Sequence, residues 1–245
     1  MYKNYTLFLV CCLWAFRVGA QNKNTQVLEN IQQKLTWNTS KDSLMLFIQT
    51  MDKMTSEKPN PYTNYWNAYA KYLLYFEFNL KNEEENRKAE QTLEGAMKLI
   101  EKIPNKSSEH YALLSLLGGL QLNFTSTLML PFRASNVGKN AEKAIELNPT
   151  NMRAYLALGI YDYYTPKMYG GMKVTEKNLK KALSLPDKSD PNPFAPEWGR
   201  ADAYLYLVKY YKYEKKITDA KKYLEDGLKL YPNFELLQKM KAKLE

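Results

Sequence analysis

Beyond the first twenty residues, apolar side chains recur at intervals of three and four, the spacing that gathers them on one face of an α-helix. Two such patterns alternate along the chain. The first runs bulky, bulky, small, then a longer side chain: Trp66-x2-Tyr69-Ala70-x2-Leu73, Leu114-x2-Leu117-Gly118-x2-Gln121, Tyr155-x2-Leu158-Gly159-x2-Asp162 and Tyr204-x2-Leu207-Val208-x2-Tyr211. The second is Ala89-x3-Leu93-x2-Ala96, Val137-x3-Ala141-x2-Ala144, Thr175-x3-Leu179-x2-Ala182 and Ala220-x3-Leu224-x2-Gly227, its small residue standing three positions before Leu99, Leu147, Leu185 and Leu230. No segment sustains period-two alternation, so the pattern predicts an all-α chain of four helix pairs with essentially no sheet.

A small residue on each of two antiparallel helices lets their axes approach while the flanking large side chains fill the grooves. Each pair still leaves apolar surface for the next pair to cover, which predicts a right-handed α-solenoid. From the small residue of the first helix to that of the second there are 26 positions in units one and two, 23 in unit three and 19 in unit four. Relative to unit four, the first three units carry 7, 7 and 4 extra residues, and insertions at one place in successive repeats project on one side of a solenoid. Pro104-Asn105, Asn148-Pro149-Thr150, the break from Pro186 to Pro196 and Tyr231-Pro232-Asn233 punctuate the array. The expected organisation is a signal peptide over 1–20, an N-terminal helical cap over 21–58, units at about 62–104, 107–149, 151–186 and 200–233, and a capping helix over 234–245.

In unit four, Tyr204, Leu207, Val208, Tyr211, Ala220, Leu224, Gly227 and Pro232 resemble the positional pattern of the tetratricopeptide repeat (TPR) family, Val208 and Gly227 departing from it in residue type. Over Tyr111 to Asn233, a Tyr-rich first helix, a Pro, a Tyr-Gly-Gly turn and a Lys-Ala-Leu ending also look like secreted and periplasmic TPR-like proteins of bacteria, including the T-component family of TRAP-type solute uptake. That resemblance implies a non-catalytic protein that binds a protein, a peptide or a small organic ligand. It also implies an association with a membrane-bound complex.

Lys3, the apolar run from Thr6 to Phe16 and Val18-Gly19-Ala20 form a secretory signal peptide with cleavage before Gln21, too short to span a bilayer. Acylation of Cys11 or Cys12 as a lipoprotein is the lesser alternative. After cleavage both cysteines are gone, and 33 basic residues face 26 acidic ones. The basic residues are mostly lysines scattered near polar helix faces, and with secretion this argues against a nucleic-acid partner.

Function is expected on the inner, first-helix face of the solenoid and in the irregular stretches, as the binding of a partner protein, a peptide or a small ligand; the alternative is a solute-binding accessory subunit with an internal ligand pocket. In unit three Tyr161, Asp162, Tyr163, Tyr164, Tyr169, Gly170 and Gly171 surround Pro166, and the glycines allow a tight turn while the tyrosines offer rigid faces with polar tips. They serve either a ligand or packing between repeats. Arg133, in Leu130-Pro131-Phe132-Arg133, either grips a carboxylate or fixes a loop, as does Arg200. Trp198 either stacks on a ligand or closes a loop over the core. A single histidine, His110, expected at the surface, rules out multi-histidine zinc sites, and neither Gly-Gly pair has a phosphate-loop ending; no cofactor or metal is called for.

Overall fold

The computed structural model describes Leu28, residues 31–57 and residues 60–244; the expected signal peptide and the first residues of the expected N-terminal cap lie outside the described residues. Short α1 (Ile31–Lys34) and α2 (Lys41–Glu57) precede four helix pairs. These are α3 (Pro61–Tyr75) with α4 (Glu83–Glu101), α5 (Ser108–Gln121) with α6 (Leu130–Leu147), α7 (Met152–Tyr164) with α8 (Thr175–Ser184), and α9 (Arg200–Tyr213) with α10 (Ile217–Leu230); α11 (Glu235–Lys241) ends the array. No strand occurs among the described residues. The second helix of each pair packs on the first helix of the next, and first helices of successive pairs touch, which makes the array an α-solenoid.

Local chemistry sets the helix starts. Asn60 caps α3 by accepting the Tyr62 N–H at 2.8 Å ahead of Pro61, and Asn82 caps α4, whose first turn carries Glu83, Glu84 and Glu85. The patterned second-helix residues Ala89, Leu93, Ala96, Ala141, Ala144, Leu179, Ala182 and Ala220 are completely buried. A Cβ at Gly159 would stand 2.8 Å from Leu179 Cδ2, and one at Gly227 would stand 2.9 Å from Leu237 Cδ1. Small residues therefore mark close helix approach, as expected. The leucines three positions on do not share this role: Leu147 and Leu230 are exposed, because that step leads to the rim of the buried stripe at a helix end.

The extra residues are housed in two ways. In unit two α6 begins at Leu130, well before Val137, so Leu130 to Arg133 form the first turn of a longer helix, which Pro131 tolerates there. In unit three α8 begins at Thr175 itself, and the insertion is a genuine turn around a 3-10 segment, Lys167–Tyr169.

Two long-range contacts close the array on itself. The break between α8 and α9 crosses to the first helix of unit one, where the Trp66 indole N–H donates to the Phe194 carbonyl at 2.9 Å and Trp198 stacks on Tyr69 with centroids 4.4 Å apart. Between α1 and α2, Trp37 packs on Tyr72 and Phe76 on one side and Phe234 on the other, while the Asn38 amide donates to the Asn233 carbonyl at 2.8 Å. Trp198 thus joins the core of the first units to that of the last two, and Trp37 joins the two caps.

Candidate functional site

The unit-three turn divides the sequence candidates into a frame and a display. Asp162 is buried and accepts the Val174 N–H at 2.9 Å and the Thr175 hydroxyl at 2.6 Å, so it caps α8 from the end of α7. Tyr161 packs on α6, its ring occupying the space that a Cβ at Gly138 would need. Gly170 adopts φ +89°, and a Cβ at Gly171 would lie 1.8 Å from the Thr165 carbonyl oxygen, so the Gly pair is what lets the turn fold back on α7. Tyr163 is half-buried against Tyr206. Displayed on this frame are Tyr164, 63 % exposed with its hydroxyl 3.4 Å from that of Tyr206, together with Tyr169 and Met168, 74 % and 81 % exposed.

Neighbouring turns continue this surface. Twelve of the sixteen exposed large apolar side chains among the described residues lie at the turns inside the four units, from Phe76 and Leu80 through Leu128 and Phe132 to Tyr213 and Ile217. The turns of units one and two touch where Asn123 donates to the Tyr75 hydroxyl at 2.9 Å, and those of units three and four where Lys167 pairs with Glu214 at 2.8 Å beneath the Tyr213 ring. Arg133 belongs to this edge, exposed on the first turn of α6 beside a depression of about 480 Å³ that Glu90, Glu94 and Glu101 also line.

Trp198 lies elsewhere. Its indole N–H donates to the Tyr65 hydroxyl at 3.1 Å, and its carbonyl accepts from Arg153 at 2.8 Å. Arg153 is fully buried and forms a bidentate pair with Glu109, at 2.6 and 2.7 Å, which also accepts from Ser189 of the crossing segment. Desolvation is the largest single influence and works to lower the Arg153 pKa, but Glu109, with smaller help from Tyr65 and Asp187, outweighs it and the pKa rises. Beside Trp198 a cavity of about 430 Å³ opens between the caps, lined by Trp37, Tyr69, Phe234, Arg200 and Asp202 among others, and by none of residues 161–171. Arg200 fixes a loop, donating to Asp187 and to the Leu183 and Leu185 carbonyls.

His110 is buried rather than exposed. Its Nδ1 accepts the Ser107 N–H at 2.9 Å in a capping box, so the ring serves the start of α5, and burial lowers its pKa and keeps it neutral. Sequence reasoning did not single out Arg153 or Asp202. Each sits in the first turn of a helix, where a charged residue ordinarily faces water, and only the arrival of the crossing segment and the caps buries them.

Helix pairs in this order define a TPR-like helical-repeat protein. The HusA haemophore from Porphyromonas gingivalis superimposes with a TM-score of 0.56 at 20 % identity, covering 76 % of this chain and 92 % of its own. TTC0263, a thermophilic TPR protein of Thermus thermophilus, gives 0.58 at 15 % identity, covering 83 % of this chain and 91 % of its own. At these identities the likeness is one of fold. No protein-family model matches the sequence, and no curated protein matches it. No described helix is long and apolar enough to cross a membrane.

Proposed function

We propose that this chain is an exported, non-catalytic binding protein that docks a partner protein along the edge formed by the turns of its repeats. The observation that carries the reading is the concentration of exposed apolar side chains on that edge, drawn from four successive units. Exposed apolar side chains gathered along one edge are characteristic of interaction sites, and a small molecule spans one or two repeats rather than four. Tyr164 and Tyr169 supply rigid contact area, and the exposed Lys173, Lys215 and Lys216 nearby favour acidic groups on the partner. The inner face of unit one is less suited to the role, since Phe194 and Trp198 cover it.

The test is affinity purification with the full chain and two double variants on different repeats, Tyr164→Ala with Tyr169→Ala and Leu128→Ala with Phe132→Ala. The expected result is one partner protein retained by the native chain and lost by both variants, with helicity and melting unchanged. Retention by both variants overturns the reading, as does binding that transfers to protein-free anionic vesicles.

A second reading draws on the likeness to the HusA haemophore. The exposed phenols of Tyr164 and Tyr169 and the Met168 thioether offer oxygen and sulfur ligands beside flat aromatic faces, which suit a planar apolar molecule such as haem. Haem titrated into the full chain then gives a saturable Soret shift that the Tyr164→Ala, Tyr169→Ala variant loses. A linear, unsaturable response removes this reading.

A further inference from the structure

The cavity between the two caps is lined by three charged side chains, and two of them are neutralised in place. Arg200 pairs with Asp187 at 2.6 Å, and Glu197 pairs with Lys188 at 3.2 Å. Asp202 is only 6 % exposed, and no cation among the described residues lies within salt-bridge distance of it. Lys209, two turns further along α9, acts on it only at a distance; its ammonium rests over the Tyr206 ring, 4.4 Å from the centroid. A buried carboxylate without a counter-ion is costly, and such groups concentrate at functional sites.

The surroundings define what would complete it. Trp37, Tyr69, Trp198 and Phe234 give the cavity aromatic walls, and its volume of about 430 Å³ falls within the range of small-molecule sites. We propose that this cavity binds a small organic cation, an ammonium group carried on an apolar or aromatic body, with the Asp202 carboxylate as its counter-ion. The body replaces water against the aromatic walls, and the ammonium supplies the charge that the protein withholds. Burial pushes the Asp202 carboxyl up to about 7, as a carboxylate lacking a partner requires, and an incoming cation favours its ionised form. This site stands apart from the turn edge and does not depend on it.

The probe is benzyltrimethylammonium, with benzyl alcohol as a neutral aromatic comparator, titrated into the full chain above the Asp202 pKa. Binding is read by calorimetry and by the fluorescence of Trp37 and Trp198. Saturable binding of the cation is expected, weakened roughly tenfold or more in Asp202→Asn. Circular dichroism checks that Asp202→Asn keeps its helices, and Tyr164→Ala with Tyr169→Ala leaves this binding unchanged. The proposal is overturned if Asp202→Asn binds the cation as tightly as the native chain, if benzyl alcohol binds equally well, or if no saturation is reached at about 10 mM.

Discussion

Replacing Asp202 by Asn keeps the shape of the side chain and removes its titration, so the cost of burying the carboxylate becomes measurable. Desolvation is the main cause that raises its pKa, from 3.8 to about 7, against smaller lowering effects of the Trp37 indole, its own backbone N–H and Lys209. Among the described residues the Trp37 N–H meets no partner in hydrogen-bond geometry, so its hold on the carboxylate is weak. The folded protein therefore binds this proton more tightly than the unfolded chain does. Stability contributed by the group is greatest below about pH 4, falls as pH rises through the window from about 4 to 7, and stays low above it. The span between the two pKa values corresponds to roughly 4 kcal/mol, which water entry and local relaxation reduce to about 2–4 kcal/mol.

Urea unfolding of the native chain and Asp202→Asn, followed by far-UV circular dichroism from about pH 4 to 8, isolates this one group, since every other titration cancels in the difference. Asp202→Asn is expected to be the more stable protein at about pH 8 by about 2–4 kcal/mol, with the advantage shrinking toward pH 4. A difference that is flat with pH, or smaller than about 1 kcal/mol at pH 8, would falsify the reasoning, because it would mean that the carboxylate is solvated or paired in the folded state.

The opposite outcome is expected at the buried ion pair. Glu109→Gln leaves the Arg153 charge without its partner and should cost about 3–5 kcal/mol in urea unfolding, while Glu109→Leu with Arg153→Met, which removes both charges, should recover most of the loss. Equal losses in the single and double variants would show that the pair is not what matters. In the unit-three turn, Gly171→Ala forces a methyl against the Thr165 carbonyl and should destabilise by about 1–3 kcal/mol, whereas exposed Tyr169→Ala should stay within about 0.5 kcal/mol. If Gly171→Ala melts like the native chain, the turn has freedom that this close approach denies.

The helix pairs were legible because their evidence is local. Ala89, Leu93 and Ala96 recur at the helical period, and the backbone turns that period into a buried stripe whatever lies on the other side. The candidate surface was legible in part. The Tyr-rich turn stood out by composition, and Tyr164 and Tyr169 are indeed displayed, yet Asp162 and Tyr161 from the same stretch serve capping and packing. Nothing in the spacing separates a phenol that faces water from one that faces the next repeat, since both lie on the same helix end.

The sequence by itself determined the class of fold, the order and register of the helix pairs, and the places where extra residues leave the repeat. The tertiary structure alone decided what fills the space between distant units: Trp198 against Tyr69, Arg153 against Glu109, Trp37 between Tyr72 and Phe234, and Asp202 in the cavity that Trp37, Tyr69, Trp198 and Phe234 line. These partners lie far apart in the chain and follow no period. Their pairing is set by how four unequal repeats stack and where the long crossing segment can return, which is a property of the assembled array.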